Sequence, residues 1–293
     1  MPEPLLERTA VVTVSYNSSA QLALFLASIR ESDAAGVGVI VVDNRSADIE
    51  ATRAICETYA AHLIELDDNR GYGGAINAAV ETLPPEIEFV LISNPDVLVH
   101  ENSIPALVRL LEAEKSVGAI GPTVLNSDGT VYPSARRLPS LRTGIGHALF
   151  ARVWPANPWS RAYRNDAEGY DKARYVGWLS GSFVLVRRAA FESIGKFDEG
   201  YFMYFEDVDM GYRMGKTGWR SLYTPSATVT HSGAHSTNTE SAKMIKTHHE
   251  SANRYLAKKY AGPVLAPLRL ALRVGLSARS MYLSRAARKS DRG

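Results

Sequence analysis

The stretch Glu88-Phe-Val-Leu-Ile-Ser-Asn-Pro-Asp-Val-Leu-Val99 decides how the rest of the chain can be arranged. The short apolar run that begins at Phe89 is typical of a strand buried on both faces. The turn dipeptide Asn94-Pro95 ends that strand, and Asp96 follows directly. Open α/β sheets bind their ligands at the carboxyl ends of buried strands. We therefore interpret Asp96 as the centre of a metal and phosphate site.

Upstream of this strand, apolar strands alternate with amphipathic helices. Strands are predicted at residues 10–15, 39–42 and 63–66. Apolar residues at helical spacing predict helices between the strands, the clearest example being the face formed by Leu22, Phe25, Leu26 and Ile29. Strand–helix alternation without hairpin signals indicates a parallel, right-handed, doubly wound sheet. The expected fold class is α/β, with a mostly parallel, Rossmann-like sheet and helices on both of its faces.

The second half of the sequence is less regular. Asn126-Ser-Asp-Gly129 predicts a hairpin turn. One strand is expected over residues 178–186, others over 218–223 and 229–231, and helices over 103–113, 188–194 and 207–214. Residues 133–174 combine many arginines with Trp154, Trp159, prolines and glycines. This composition favours a mobile, lid-like segment.

Composition excludes several classes of protein. The 293 residues are 45% hydrophobic and 22% charged, with a net charge of +2, so nothing indicates a nucleic-acid partner. The single cysteine, Cys56, precludes an intrachain disulfide, and without a Cys/His cluster a zinc site is not expected. No window reaches the roughly 18 apolar residues of a membrane span, and the N-terminus does not resemble a signal peptide. A soluble or peripheral cytoplasmic protein is expected.

The end of the chain differs in composition from the rest. Residues 264–293 contain seven Arg or Lys residues but one acid, Asp291. Leucines recur there at helical spacing, at Leu265, Leu268, Leu272 and Leu276. A basic amphipathic helix of this kind favours attachment to an anionic membrane surface. Packing on the domain or against a partner remains the alternative.

Two further polar segments are candidates for binding a nucleotide. Asp43 and Asn44 follow another parallel strand, where a carboxylate can accept from a nucleoside ring N–H or a ribose hydroxyl. The alternative is capping of the next helix. The glycine-rich segment Asn69-Arg-Gly-Tyr-Gly-Gly74, with Asn77 beyond it, predicts close approach of the backbone to a ligand. It lacks the Lys-Ser/Thr ending of a Walker A loop, so a plain turn remains the alternative.

Further candidate acid–base and metal-binding groups come from the second half of the sequence. Glu206, Asp207 and Asp209 follow an aromatic run, and apolar surroundings raise the basicity of a carboxylate, as a general base requires. The alternative is a helix N-terminus with acids in its first turn. His231 follows a predicted strand, and with Asp96 it would suit Mn²⁺ or Mg²⁺. His248 and His249 are interpreted as part of a solvated helix face.

Six motifs in this order resemble family 2 glycosyltransferases of the GT-A fold, and more narrowly the bacterial rhamnosyltransferase branch. They are Val-Ser-Tyr-Asn17, Val-Val-Asp-Asn44-Arg-Ser46, Asn69-Arg-Gly-Tyr-Gly-Gly-Ala-Ile-Asn77, Ser-Asn-Pro-Asp96, Trp-Leu-Ser-Gly181-Ser-Phe and Tyr-Phe-Glu206-Asp207-Val-Asp. The resemblance covers roughly residues 9–240. It implies a GT-A catalytic domain over 1–240, with a nucleotide-binding half over 9–100 and an acceptor half over 101–240. A basic helical extension would follow over 241–293.

The resemblance also implies a role for each matching residue. The divalent metal would be held by Asp96, the last residue of a DxD-type motif whose first acid is replaced by Asn94, and by His231. Asp207 would be the catalytic base, with Glu206 beside it. The implied acceptor-binding residues are Trp178, Gly181 and Ser182. The implied nucleotide-sugar-binding residues are Ser15, Tyr16, Asn17, Asp43, Asn44, Asn69, Gly71, Tyr72, Gly73, Asn77 and Asn94.

The implied activity is inverting, metal-dependent transfer of a sugar to an acceptor hydroxyl in cell-envelope polysaccharide synthesis. The first expectation is L-rhamnose from dTDP-L-rhamnose, moved to a glycan or a polyprenyl-diphosphate-linked sugar at the inner face of the membrane. UDP-galactofuranose or another UDP-sugar is the alternative donor. A sugar-1-phosphate nucleotidyltransferase and a catalytically degenerate nucleotide-sugar-binding protein are the competing classes. Homo-oligomerisation stays open.

Overall fold

A computed structural model describes residues 4–34, 36–140, 169–233 and 242–290. The strands in chain order are β1 Thr9–Ser15, β2 Gly38–Asp43, β3 His62–Glu65, β4 Phe89–Ser93, β5 Val97–Val99, β6 Val117–Leu125, β7 Val131–Tyr132, β8 Ala135–Arg136, β9 Arg174–Val176, β10 Trp178–Leu179, β11 Phe183–Arg187 and β12 Arg220–His231. The helices are α1 Pro4–Glu7, α2 Ser19–Glu31, α3 Ile49–Tyr59, α4 Gly71–Thr82, α5 Ser103–Ala113, α6 Arg188–Ser193, α7 Glu206–Lys216, α8 Ala242–Lys259 and α9 Ala266–Ser290. Most of the expected lid-like segment, with Trp154 and Trp159, lies outside the described residues.

A single large sheet organises the domain. Its strand order is β3-β2-β1-β4-β11-β6-β12-β5, with β7 beside β6 and β9 beside β12. The first four strands are parallel, as the strand–helix alternation predicts. Their register sets Ser15 opposite Asp43, so the carboxyl ends of β1 and β2 meet at one edge. The α/β prediction is therefore confirmed.

The second half of the sheet is mixed, and its strands differ from the predicted ones in two places. β11 runs antiparallel between β4 and β6, whereas β12 runs parallel to β6. The strand expected over 178–186 is two strands, broken at Ser180-Gly181-Ser182, where the backbone turns to bond Asn94 and Asp207. The strands expected over 218–223 and 229–231 form one strand, β12. Its register shifts between Tyr223 and Thr228, because Pro225 has no N–H to donate to the ladder.

The hydrophobic core lies on both faces of the sheet. Every residue of β4 is buried, as expected for a strand covered on both sides. Alternate residues of the strands point to opposite faces. Val11 and Leu91 pack in one cluster with α2, while Val12 and Ile92 pack in the other with Ile76 of α4. Because both faces of the sheet are covered, the polar residues that follow the strands lie at its carboxyl edge.

Two long helices follow the sheet at the end of the chain. α8 packs on the domain through Ser251, Ala252 and Tyr255, all of them buried. α9 packs back against α8. Within the described parts of the chain, no helix is both long enough and apolar enough to cross a membrane.

Candidate active site

Asp96 and His231 lie side by side at the carboxyl end of the sheet. Asp96 follows β4 and the Asn94-Pro95 turn, and His231 is the last residue of β12. Antiparallel pairing of β5 with β12 sets Val97 opposite His231, which brings the two side chains together. His231 Nε2 lies 3.0 Å from Asp96 Oδ1, and both side chains are mostly buried.

The donor set of this pair fits a divalent cation. A carboxylate oxygen and an imidazole nitrogen suit Mn²⁺ or Mg²⁺, with phosphate oxygens and water filling the remaining positions. Among the described side chains, no group of three or more His, Cys, Asp and Glu residues could hold a metal ion, so this site offers two ligands. The amide nitrogen of Asn94 lies 3.3 Å from His231 Nε2. Asn94 stands where the resemblance implies a second acid.

Asp43 presents an uncommitted carboxylate oxygen at the end of β2. Its side chain is 1% exposed, and Oδ1 accepts a hydrogen bond from the Ser46 backbone at 2.8 Å. Asp43 Oδ2 is buried and has no partner among the described residues. A buried carboxylate oxygen without a donor is costly unless a ligand supplies one. Ser15 at the end of β1 accepts from the Asn44 backbone N–H, and neighbouring Tyr16 is 53% exposed.

Three asparagines that the sequence assigned to the nucleotide form hydrogen bonds with the protein's own backbone. The Asn44 side chain donates to Gly71 O at 3.1 Å and accepts from Arg70 N at 2.9 Å. Asn77 Nδ2 donates to Phe197 O at 2.9 Å, and Asn17 Oδ1 accepts from the backbone N–H of residue 47 at 2.7 Å. These amides therefore fix the loops around the site, and their direct contact with a ligand stays a prediction.

The helix predicted after the glycine-rich segment begins earlier, at Gly71, so the last four residues of that segment form the first turn of α4. Close approach of this backbone to a ligand stays a prediction. Asn69 Oδ1 accepts from Gly71 N at 3.0 Å. Gly71 has a φ of +72°, and a Cβ there would overlap the carbonyl oxygen of Phe202. A Cβ at Gly73 would lie 2.9 Å from Phe197 Cβ. Both glycines allow close packing of α4 on residues 197–202.

Tyr72 forms hydrogen bonds with two segments of the site, at Phe202 and Gly181. Its backbone N–H donates to Phe202 O at 3.1 Å, and its hydroxyl donates to Gly181 O at 2.7 Å. Burial raises the pKa of the Tyr72 phenol well above its ordinary value, and the carboxylates of Glu206, Asp207 and Asp96 raise it further. The hydroxyl is therefore a permanent hydrogen-bond donor that fixes the Gly181 backbone.

Glu206 and Asp207 begin α7 after two strained residues. Tyr204 and Phe205 both have positive φ angles, of 68° and 67°, which side chains other than glycine seldom adopt. Burial, together with the charge of the neighbouring Asp207, raises the pKa of Glu206 to about 8. Glu206 Oε2 has no partner among the described residues. Glu206 is therefore protonated at neutral pH.

Asp207 is held by backbone donors, which distinguishes it from its neighbour. Gly181 N donates to Asp207 Oδ2 at 3.1 Å, and Val208 N donates to Oδ1 at 2.7 Å. Burial raises the pKa of the Asp207 carboxyl, while these N–H groups and the positive charge of Arg136 oppose the rise. A carboxyl group that is made more basic and is held in place by N–H donors has the properties of a general base.

The predicted acceptor residues surround Asp207. Trp178 packs on α7 at Gly211, where a Cβ would lie 2.7 Å from Trp178 Cβ. Its indole N–H donates to Arg137 O at 3.1 Å. Ser182 lies on the other side of Gly181, and its backbone carbonyl accepts from Asn94 N at 2.9 Å. The broken strand thus links Asp207 to the Asn94-Pro95 turn.

The sequence analysis missed the contacts behind residues 201–207, here termed the carboxylate turn. Lys258 of α8 lies 2.6 Å from Asp198 Oδ2 and 2.9 Å from Asp209 Oδ1. Arg254 forms a bidentate pair with Asp198, and Ser251 Oγ donates to Met203 O at 2.8 Å. Arg254 and Lys258 are one helical turn apart, and this spacing could have indicated a basic helix face that pairs with acidic residues. α8 therefore holds the turn that carries Glu206 and Asp207.

Comparison with known proteins shows the family of this chain. Residues 7–249 match the family model described as "Glycosyltransferase like family 2". The chain is 42% identical over 291 residues to the Mycobacterium tuberculosis N-acetylglucosaminyl-diphospho-decaprenol L-rhamnosyltransferase, covering 96% of this chain and 94% of that protein. It is 27% identical over 227 residues to the Escherichia coli rhamnosyltransferase WbbL, covering 75% and 82% of the two chains.

Solved structures support the fold. A Pyrobaculum calidifontis mannosyltransferase in complex with GDP-Man and Mn²⁺ matches with a TM-score of 0.58 at 19% identity, covering 96% of this chain and 73% of that one. GalNAc-T7 with UDP, GalNAc and Mn²⁺ matches with a TM-score of 0.57 at 12% identity, covering 85% and 50%. From its matched family model and its near-full-length relative, the chain belongs to glycosyltransferase family 2, and it is a glycosyltransferase with a GT-A fold.

Proposed function

We propose that this enzyme transfers L-rhamnose from dTDP-L-rhamnose, with inversion, to a sugar hydroxyl of a polyprenyl-diphosphate-linked acceptor. The relative that is 42% identical over nearly its whole length, whose name describes such a transfer, supports the choice of donor and acceptor. The observation that carries the proposal is the position of Tyr72. Its hydroxyl is close enough to the candidate metal ligand Asp96 and to the candidate base Asp207 for both charges to raise its pKa, so the two groups belong to one site, as a displacement at a sugar phosphate requires.

On the donor side, the proposed binding residues are Asp43, Asp96 and His231. Asp43 Oδ2 would accept the ring N–H of the base or a ribose hydroxyl, since it has no partner of its own among the described residues. Asp96 and His231 would hold a divalent cation. When bound, that cation would neutralise the charge that develops on the leaving diphosphate. Because thymine and uracil both present a ring N–H, a UDP-sugar remains the second candidate donor.

On the acceptor side, Asp207 would remove the proton from the attacking hydroxyl. Its N–H partners, Gly181 and Val208, fix the direction of the carboxylate. The oxygen that loses its proton attacks the anomeric carbon on the face opposite the diphosphate, so the configuration inverts in one displacement. Protonated Glu206 keeps a second negative charge away from Asp207, and it would donate a hydrogen bond rather than act as a base.

The C-terminal helix α9 supports a membrane-surface acceptor. Leu270, Val274 and Met281 are 64%, 61% and 56% exposed, and they lie on one face of the helix. No acid occurs between residues 251 and 290, whereas arginines and lysines recur throughout. An exposed apolar stripe on a basic helix fits the surface of an anionic bilayer. We infer that the enzyme works at the cytoplasmic face of the membrane.

A transfer screen tests the activity. Purified full-length enzyme is incubated with dTDP-, UDP- and GDP-sugars, with Mg²⁺ or Mn²⁺, and with a short-chain prenyl-diphosphate GlcNAc. We expect transfer from dTDP-L-rhamnose, and preferential turnover of a UDP-sugar would contradict the donor assignment.

The catalytic role of Asp207 is tested with Asp207→Asn, an isosteric change. We expect kcat to fall by about 10²- to 10⁴-fold with donor affinity retained, as for loss of a general base. Near-normal turnover in this variant would disprove the assignment.

Membrane attachment is tested by truncation after residue 261. Sedimentation with phosphatidylglycerol vesicles should be lost, while transfer to a water-soluble acceptor persists. Equal sedimentation of full-length and truncated protein would contradict the role of α9.

A further inference from the structure

Arg136 is close enough to the candidate base for its charge to lower the pKa of Asp207, and it is not used by the reaction described above. It belongs to β8, which pairs antiparallel with β10 so that Arg136 is opposite Trp178. Its guanidinium lies over the Trp178 ring, 5.9 Å from the centroid. Trp178 in turn packs on α7 at Gly211, one turn beyond Asp207. The cation is therefore placed on the acceptor side of Asp207, with an aromatic ring behind it.

The hydrogen-bonding capacity of Arg136 is mostly unused. Its Nε donates to Pro133 O at 2.7 Å, which fixes the plane of the guanidinium. Within the described part of the chain, its two Nη groups donate no hydrogen bond and form no ion pair. Three other arginines near the site are committed to protein groups: Arg174 to Ala135 O, Arg213 to Asp209 and Arg254 to Asp198.

A half-buried guanidinium that stacks on an aromatic ring and has free Nη donors is suited to bind a phosphate group. Arginine binds phosphate oxygens through paired N–H groups, and stacking on an aromatic ring orients the fork. The donor's phosphates are assigned to the Asp96 and His231 side, across Tyr72. A phosphate on the acceptor side has no other assigned partner among the described residues.

We propose that Arg136, stacked on Trp178, is the subsite for the phosphate group of the lipid-linked acceptor nearest the sugar that is extended. This proposal rests on the proposed acceptor class. Arg136 would make a prenyl diphosphate a requirement for tight acceptor binding and would orient the sugar hydroxyl toward Asp207.

The first test compares two acceptors that differ in charge. Full-length wild type and Arg136→Ala are assayed with a short-chain prenyl-diphosphate GlcNAc and with an uncharged alkyl GlcNAc glycoside, at a pH where the rate is constant. We expect the KM for the diphosphate acceptor to rise about tenfold or more, as for loss of a charged hydrogen bond, with the KM for the glycoside unchanged. Arg136→Lys should recover part of the loss, because it keeps the charge without the fork.

Arg220→Ala is the matched control. Arg220 also stacks on an aromatic ring, Tyr175, at 4.0 Å, but it lies at the start of β12, at the opposite end from His231. Neither KM should change in this variant. An equal KM rise for both acceptors in Arg136→Ala, a rise in the donor KM instead, or no change would overturn the proposal.

A second measurement does not depend on turnover. Binding of geranyl diphosphate to full-length protein is measured by calorimetry with EDTA present, so that the candidate metal site cannot contribute. We expect binding by wild type and about tenfold weaker binding by Arg136→Ala. If wild type transfers to neither acceptor, the proposed function fails and this measurement decides alone. Equal binding by the two proteins, or no binding by wild type, then refutes the subsite.

Discussion

His231 Nε2 lies 3.0 Å from Asp96 Oδ1, although β5 and β12 are far apart in the sequence. Loss of the imidazole should weaken divalent-cation binding, because the site offers two protein ligands and each supplies a large share of the affinity. We expect His231→Ala to raise the Mn²⁺ concentration needed for half-maximal activity by about tenfold or more, measured by metal titration.

His100→Ala provides the control for this prediction. His100 Nε2 lies 2.9 Å from Thr230 Oγ1, one residue from His231, but the side chain is exposed. Its removal should leave the metal titration unchanged. A shift of the same size in both variants would show that β12 was disturbed rather than a ligand removed.

Glu206 should make the enzyme less stable as pH rises. Its pKa is about 8 in the folded state against 4.5 in a model peptide, so the folded state binds a proton that the unfolded state releases. The resulting stabilisation is complete below about pH 4.5 and is lost as pH rises through about 8. Glu206→Gln cannot titrate, so urea unfolding of this variant between pH 5 and 9 should show a flatter pH dependence than wild type. Identical profiles would contradict the raised pKa.

Lys258 should stabilise the carboxylate turn. Burial alone would raise the pKa of Asp198, but hydrogen bonds from Arg254 and Lys258 outweigh it and hold the pKa well below its usual range. Lys258→Met leaves Asp209, which is fully buried, with less compensating charge. Because Lys258 itself is 33% exposed, we expect a loss of about 1–3 kcal/mol of unfolding free energy, less than for a fully buried pair, together with a lower kcat.

Two variants control the Lys258 prediction. Lys258→Arg should recover both stability and kcat, since it keeps the charge. Lys246→Met removes the exposed pair with Glu250 and should cost less than about 1 kcal/mol. Full stability in Lys258→Met would mean that α8 does not support the turn.

Gly71 should be required for packing against the Phe202 carbonyl. Alanine there meets both a φ of +72° and an overlap with that oxygen, so we expect Gly71→Ala to cost about 2 kcal/mol or more in urea unfolding. Gly215→Ala, in α7, meets no atom within 4 Å and should instead stabilise by about 0.5–1 kcal/mol. Equal effects of the two changes would argue against close packing at Gly71.

The local pattern of the sequence determined the parallel half of the sheet. Continuous apolar runs alternating with amphipathic helices leave one topology for β1 to β4, because each strand must be covered on both faces. The same logic located Asp43 and Asp96, since polar residues that follow buried strands must lie at the carboxyl edge. The order of the motifs also indicated the family correctly.

Tertiary structure alone decided which polar groups are free for a ligand. Asn44 and Asn77 read as ligand-binding residues in the sequence, but their amides satisfy backbone groups that other segments bring close. A hydrogen bond between distant segments produces no periodic pattern in the sequence. The strand pairing that places His231 next to Asp96 produces none either. The sequence determined the strands and the edge of the sheet where the chemistry lies, whereas long-range packing decided which carboxylates there remain available.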